Sequence, residues 1–165
     1  MAAGKSTVGR ILAERLEWEF VDFDRAIADR AGRPPGAIIR EDGEAAFRRL
    51  EAQVTEALAG RREVVLAPGG GWATGPGRAE SLGHGTVLVW LRLSAEEAVR
   101  RAEAEEADRP LLGPPEGRVE RMTELLRRRT KGYAAAEVTV DVEEKRPEEV
   151  ADEIVRRLRL HEGGG

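Results

Sequence analysis

The sequence predicts an α/β fold, a three-layer α/β/α domain with a mostly parallel sheet. Short apolar runs that suit strands alternate with longer segments whose apolar residues recur at helical spacing. This alternation is typical of parallel strands joined by crossover helices. Acidic or glycine-rich stretches directly follow two of the predicted strands, at the edge where such sheets bind ligands.

Composition restricts the class of protein further. The 165 residues suffice for a single domain over residues 1–165, and the absence of cysteine excludes disulfides and thiolate metal sites. The net charge of −4 gives no basic field for nucleic acid, and no apolar run resembles a membrane span or a signal peptide. We expect a cytoplasmic monomer that binds neither nucleic acid nor membrane.

The first half of the chain contains three predicted helices and one predicted strand. Apolar spacing predicts a helix from Ser6 to about Trp18, a strand over Phe20–Asp24 and a helix over Arg25–Ala31. After a Pro-Pro-Gly break, a short apolar turn at Ala37–Ile39 precedes a longer helix from about Glu44 to Ala59.

The second half continues the alternation. Glu63–Ala67 is a predicted buried strand that opens directly into the glycine-rich loop Pro68–Gly71. The remaining predictions are a strand over Thr86–Leu93, a helix begun by a capping box at Ser94–Glu97, a lid over about 103–117, a helix from Arg118 to about Lys131, a strand over Val138–Val142 and a helix from Pro147.

The stretch Gly4-Lys5-Ser6-Thr7 matches the second half of a phosphate-binding loop, G-x-x-x-x-G-K-[ST], whose first glycine would fall ahead of Met1. In such a loop the backbone N–H groups and the helix N-terminus surround nucleotide phosphates. The alternative is an ordinary helix start with Ser6 or Thr7 near its cap. Strand ends at Asp22, Asp24 and Gly69–Gly71 should share a rim with Lys5, and this convergence favours the phosphate loop.

Six motifs in order carry a family resemblance. They are Gly4-Lys5-Ser6-Thr7; the strand end Asp22-Phe23-Asp24; a G-E-x-x-F-R-x-x-E helix over Gly43–Glu51; Gly69-Gly70-Gly71; Arg109-Pro110-Leu111-Leu112 in the lid; and Arg129 four residues before Tyr133. With these motifs the chain resembles the shikimate kinases, P-loop phosphotransferases of the nucleoside monophosphate kinase-like group. The resemblance implies a P-loop kinase fold, ATP and shikimate as partners, and Mg²⁺ as cofactor.

The resemblance also implies a role for each motif residue. Lys5 and the amides of Gly4 to Thr7 would hold the β- and γ-phosphates, Ser6 would bind Mg²⁺ directly and Asp22 would hold it through water. Asp24 would accept a hydrogen bond from the 3-hydroxyl of shikimate and take its proton.

Further residues are assigned by resemblance to the acceptor and to the rest of the nucleotide. Arg48 and Arg129 would bind the shikimate carboxylate, with Gly69, Gly70 and Gly71 forming the substrate loop. Arg109 would swing in with the lid to neutralise charge on the transferring phosphoryl group. Adenine contacts would come from Arg101 and from Arg146, in the loop before Pro147.

Two alternative functions stay open at this stage. One is a kinase of the same fold that phosphorylates another small hydroxy acid, such as gluconate. The other is a non-catalytic shikimate-binding domain, because the phosphate loop is incomplete. The pair Arg48 and Arg129, together with Gly69–Gly71, favours shikimate as the acceptor.

The sequence departs from the family pattern at four places. Trp72 stands where a small residue is usual, Lys131-Gly132 replaces a usual Pro-Leu, and the stretch between Arg101 and Arg109 is a residue longer. The first strand and the first half of the phosphate loop are also absent. Such a strand would be central, and its loss would remove about 5–10 kcal/mol of apolar burial. We therefore expect the natural protein to begin further upstream.

Overall fold

The structure, a computed structural model, describes residues 2–75, 77–104 and 114–162. Its helices are α1 (Lys5–Leu16), α2 (Phe23–Ala31), α3 (Pro35–Asp42), α4 (Glu44–Leu58), α5 (Arg78–Ser81), α6 (Ala95–Ala104), α7 (Arg118–Tyr133) and α8 (Pro147–Glu162). Its strands are β1 (Glu19–Asp22), β2 (Val64–Ala67), β3 (Val89–Arg92) and β4 (Val138–Asp141), and a 3₁₀ turn covers Trp72–Thr74. The predicted alternation of strands and helices is confirmed.

The four strands form two parallel pairs. In the first pair β1 lies beside β2, with Asp22 opposite Ala67, and in the second β3 lies beside β4, with Leu91 opposite Val140. All pairing among the described residues is therefore parallel, as predicted, although it forms two two-stranded sheets and not one continuous sheet. Side chains join the two pairs, because Val65 of β2 packs into the same apolar cluster as Leu91 and Val140.

Helices α1 and α8 cover this shared cluster. Val8 and Leu12 of α1 and Val150 and Ile154 of α8 are buried in it. At Gly9 a Cβ atom would lie only 2.7 Å from Cε2 of Phe20, so the absence of a side chain lets α1 lie directly against β1.

Two further apolar clusters complete the core. The larger one joins α2, α3, α4 and the 3₁₀ turn through the buried side chains of Phe23, Ile38, Phe47 and Trp72. The smaller one packs Ala2 against α6 and α7, with Met122 at its centre. The first of these clusters forms the wall behind the rim where the predicted substrate loop lies.

The predicted boundaries around the two aspartates are wrong by two residues. The strand ends at Asp22 and not at Asp24, because Asp22 is the N-cap of α2. Its Oδ1 accepts hydrogen bonds from the backbone N–H groups of Asp24, at 2.9 Å, and Arg25, at 3.2 Å. An aspartate in this position satisfies N–H groups that the first helical turn leaves unpaired, so the helix begins at Phe23.

Other predicted elements also change. Ala37–Ile39, expected as a turn, lies inside α3, whose first residue is Pro35; proline suits this position because the N–H group it lacks would be unpaired there. Strand β3 begins three residues later than predicted, at Val89, and α5 and the 3₁₀ turn were not predicted. Residues 105–113 of the predicted lid over 103–117 lie outside the described residues. No described helix is long and apolar enough to cross a membrane.

The register of β1 and β2 determines where the site forms. Because Asp22 is opposite Ala67 in a parallel pair, the segments that follow these residues leave the sheet at the same edge. Helix α1 packs against both strands. The aspartates, the glycine loop and the N-terminus of α1 therefore meet at one rim.

Candidate active site

A cleft of about 330 Å³ lies at this rim. It is lined by many of the residues predicted to bind substrates: Gly4, Lys5, Ser6, Thr7, Asp22, Asp24, Arg48, Gly69, Gly70, Gly71 and Arg129. The rest of its lining comes mainly from apolar residues, among them Pro35, Ile39 and Phe47. The cleft therefore combines cations, carboxylates and backbone N–H groups with one apolar wall.

The N-terminus of α1 has the backbone of a phosphate-binding site. Gly4 is the N-cap residue, with φ 75° and ψ 24°, a left-handed conformation that suits glycine, and no side chain caps the helix. Ser6 and Thr7 lie inside the first turn, near the cap, and neither of them caps the helix. The uncapped N–H groups at this terminus and the helix dipole both favour an anion.

Ser6 and Asp22 bring two oxygen ligands together beside this terminus. The hydroxyl of Ser6 donates a hydrogen bond to Oδ2 of Asp22, while Oδ1 of Asp22 caps α2. A hydroxyl and a carboxylate are the hard oxygen donors that Mg²⁺ prefers, and Mg²⁺ commonly uses one or two protein ligands plus phosphates. The donor set fits the predicted ion.

Asp24 lies in the first turn of α2 and faces the glycine loop. A Cβ atom placed on Gly69 would be 3.8 Å from Oδ1 of Asp24 and 2.8 Å from Oε1 of Glu51. A side chain at Gly69 would therefore displace an acidic group of the site. Glycine is required here by the close approach of these carboxylates, since its φ angle is not in the left-handed region.

Arg48 is held by acidic residues of its own helix. Its Nη1 donates to Oε2 of Glu51 at 2.6 Å and its Nη2 donates to Oε1 of Glu44 at 2.8 Å. Partial burial opposes the charged form of Arg48, but the hydrogen bonds to Glu51 and Glu44 outweigh burial and raise the pKa of this guanidinium. A Cβ atom on Gly71 would lie 2.9 Å from Cζ of Arg48, so the loop contacts the guanidinium directly.

Glu51 is part of the site, although its motif predicted no role for it. It is fully buried, and a second arginine, Arg78, approaches its Oε2 at 3.5 Å and donates a hydrogen bond to the backbone oxygen of Arg48 at 3.0 Å. Two cations thus compensate one buried carboxylate. The i, i+3 spacing of Arg48 and Glu51 predicts their contact, whereas the approach of Arg78 depends on the tertiary fold.

From α7, Arg129 lines the cleft and Tyr133 bonds to the glycine loop. Arg129 is only 6% exposed, and the Tyr133 hydroxyl, one helical turn later, donates a hydrogen bond to the backbone oxygen of Gly70. The i, i+4 spacing places both side chains on one helix face. That spacing could have identified Tyr133 as a site residue.

The comparisons with known proteins identify the family of the chain. A family model described as shikimate kinase matches residues 1–159. The chain belongs to the shikimate kinase family. The family prediction made from the motifs is confirmed.

Individual relatives support the family over nearly the whole chain. A shikimate kinase of Mycobacterium avium is 44% identical over 157 residues, which span 94% of this chain and 88% of the relative, and one of Chlorobium luteolum is 39% identical over 94% and 80%. A structure of the shikimate kinase from Acinetobacter baumannii in complex with shikimate is 33% identical, has a TM-score of 0.90 and covers 100% of this chain and 91% of that one. The P-loop kinase fold is therefore confirmed, and the gluconate and non-catalytic alternatives gain no support.

Arg101 and Arg146, the predicted adenine-contact residues, do not line the cleft. A hydrogen bond links Arg101 to the segment that precedes Arg146. Arg101 of α6 pairs with Glu97 and donates a hydrogen bond at 2.9 Å to the backbone oxygen of Val142, in the segment that leads to Arg146. Arg146 is exposed and pairs with Glu149. Their role in this member of the shikimate kinase family stays a prediction, and Arg109 lies outside the described residues.

The absorbance of Tyr133 tests whether its hydroxyl is buried against the glycine loop. Tyr133 is the only tyrosine in the chain. Burial raises its pKa above the ordinary value of 10.0, although Arg129 and Arg48 act in the opposite direction. We expect the midpoint of phenolate absorbance to lie above the ordinary pKa in the folded protein, and to return to the ordinary pKa in denaturant.

The same shift makes a prediction about stability. Because the folded pKa is raised, the contribution of Tyr133 is complete below the unfolded pKa and is lost as pH rises through the folded pKa. A folded-state titration at or below the ordinary pKa would contradict the burial of this hydroxyl against Gly70.

Proposed function

We propose that the chain transfers the γ-phosphoryl group of ATP to the 3-hydroxyl of shikimate, a step in the biosynthesis of aromatic amino-acid precursors. One observation carries this proposal: a phosphate-binding helix terminus, the carboxylate of Asp24 and the arginines Arg48 and Arg129 line the same cleft. A kinase for an acidic acceptor requires these three groups within one small volume.

The nucleotide side of the proposal rests on charge and backbone donors. Lys5 and the N–H groups from Gly4 to Thr7 bind the outer phosphates, and the ammonium of Lys5 neutralises charge as the phosphoryl group leaves. Ser6 would hold Mg²⁺ directly and Asp22 would hold it through water, and the ion would supply further charge neutralisation on the phosphate oxygens.

The acceptor side uses one carboxylate and two guanidinium groups. Asp24 accepts the hydrogen bond of the attacking hydroxyl and takes its proton. Arg48 and Arg129 bind the carboxylate of the acceptor, with Arg48 oriented by Glu51 and Glu44. Backbone groups of Gly69–Gly71 complete the contacts.

The apolar wall favours a ring over an open-chain acid. Phe47, Ile39 and Pro35 line the cleft together with its polar groups. A cyclohexene ring can place its carbon face on this wall, whereas gluconate carries a hydroxyl group on every carbon beyond its carboxylate and would have to desolvate them there. This difference supports shikimate over gluconate.

Turnover with three acceptors tests the proposal. We expect ADP release from ATP and Mg²⁺ to depend on shikimate, to be weak with gluconate and to require a much higher concentration of the methyl ester of shikimate. The ester lacks the charge that pairs with Arg48 and Arg129, and each lost charge-assisted hydrogen bond is worth about 1.5–3 kcal/mol.

The alternatives predict different outcomes in the same assay. Turnover with gluconate alone would overturn the substrate assignment. Retained shikimate binding without turnover of any acceptor would instead indicate a binding domain. A shikimate ester that performs as well as shikimate would remove the arginine pair from its proposed role.

We propose that residues 1–165 form one kinase domain. The lid at about 103–117 supplies Arg109 to the phosphoryl group, and Arg101 and Arg146 contact the adenine. We also propose a cytoplasmic monomer. Size-exclusion chromatography with light scattering measures its mass directly.

A further inference from the structure

Trp72, a departure from the family pattern, connects the substrate loop to α4. Its ring is 2% exposed and meets Phe23 edge-on, with ring centroids 6.0 Å apart. Its Nε1–H donates a hydrogen bond at 2.8 Å to the hydroxyl of Thr55, and that hydroxyl donates at 2.7 Å to the backbone oxygen of Glu51. The indole therefore attaches the 3₁₀ turn to the helix that carries Arg48.

Gly132, a second departure, brings α7 against the same turn. A Cβ atom on Gly132 would lie 2.5 Å from the backbone oxygen of Ala73 and 3.2 Å from Cα of Thr74. The obstructing atoms belong to backbone, so a larger residue would push the turn and α7 apart. The turn is thus in direct contact with the helix that carries Arg129.

The glycine loop is bonded to this turn along its length. The N–H of Trp72 donates to the oxygen of Gly69 at 2.9 Å, and the hydroxyl of Thr74 donates to the oxygen of Gly71 at 2.7 Å. The loop cannot move relative to the turn without breaking these bonds. A displacement of the turn would therefore also displace the loop.

We propose that Trp72 and Gly132 are a pair of positioning residues that set the separation between Arg48 and Arg129, and thereby select a compact cyclic carboxylate as acceptor. Trp72 determines how the turn sits on α4, and Gly132 determines how closely α7 approaches it. The inference rests on the proposed function, because it concerns the acceptor half of that cleft. The nucleotide half, at the N-terminus of α1, contacts neither residue of the pair through the interactions described above.

Two substitutions test the pair. Trp72→Phe keeps an aromatic ring beside Phe23 but removes the hydrogen bond to Thr55, and Gly132→Ala adds the obstructing Cβ atom. We expect each to raise the KM for shikimate by about three- to tenfold, the value of one hydrogen bond between the acceptor carboxylate and a displaced Arg48 or Arg129, while the KM for ATP stays unchanged. Trp18→Phe, at a 41% exposed tryptophan, and Lys131→Ala, on the exposed face of α7, are matched controls that should change neither KM.

The outcomes separate this inference from the proposed function. A wild-type chain without shikimate-dependent turnover would sink the proposed function itself. Normal wild-type turnover with an unchanged shikimate KM in either variant, or with equal rises in both KM values, would overturn the pair. If Gly132→Ala does not fold, Trp72→Phe alone decides, since a loss of stability without a selective rise in the shikimate KM would mean a structural role only.

Discussion

Asp24→Asn is expected to lower kcat by about 10²–10⁴-fold, the usual contribution of a general base. The amide has the shape of the carboxylate but cannot take the proton of the attacking hydroxyl. The backbone N–H of Asp24, which bonds to Asp22, is unaffected by the change, so α2 keeps its cap. Steady-state turnover at saturating ATP and shikimate measures the loss.

A neighbouring aspartate on the same helix is the control for this result. Asp29 is exposed and pairs with Arg25 at 3.3 Å. Asp29→Asn removes the same charge from α2 and should leave kcat within about twofold, because a surface ion pair contributes little. Near-normal turnover of Asp24→Asn would mean that the proton leaves by another path.

Lys5→Met is the second substitution with a large expected effect. Methionine keeps an unbranched chain at the start of α1 but removes the ammonium that the proposal places on the outer phosphates. We expect kcat/KM for ATP to fall by about 10²–10³-fold, the cost of losing one fixed donor to a developing charge. The measurement is initial rate against ATP at saturating shikimate.

Lys131→Met is the matched control for Lys5→Met, because Lys131 lies on the exposed face of α7. It removes one positive charge of the same type from the molecule. If both variants lost activity equally, net charge and not position would explain the result. The phosphate role of Lys5 would then have to be abandoned.

The parts of the site that the sequence predicted are those governed by local patterns. A glycine before a Lys-Ser-Thr helix start and aspartates after an apolar strand act through backbone geometry within a few residues of themselves. The parallel pairing of β1 and β2 then brings these segments to one edge. Local rules and one topological rule thus predicted the phosphate loop, the aspartates and the glycine loop of the cleft, whereas Arg48 and Arg129 were predicted from the family resemblance.

The parts that the sequence did not predict depend on contacts between distant segments. Arg78 reaches Glu51 across 27 positions of the chain, and Tyr133 reaches the oxygen of Gly70 across 63. No periodicity encodes such contacts. Trp72 and Gly132 differ from the family pattern, but that difference does not predict the bond of Trp72 to α4 or the contact of Gly132 with the 3₁₀ turn.

The three arginines before Tyr133 illustrate the difference. Sequence spacing selected Arg129 by its distance from Tyr133, with an uncertainty of one residue. In the structure Arg129 is buried and lines the cleft, whereas Arg127 and Arg128 are exposed and pair with Glu124. The direction in which each arginine points from α7, inward or toward solvent, distinguishes these three neighbours, whereas composition cannot.

The two carboxylate oxygens of Asp22 bond to groups at different ends of the cleft. Oδ1 starts the helix that carries Asp24, and Oδ2 accepts the hydroxyl of Ser6 at the nucleotide end. Under the proposed function, a nucleotide that orders this side chain would also order the helix that carries Asp24. By thermodynamic linkage, an acceptor that orders the helix would strengthen nucleotide binding by the same factor. The side chain of Asp22 would thus couple the binding of the two substrates.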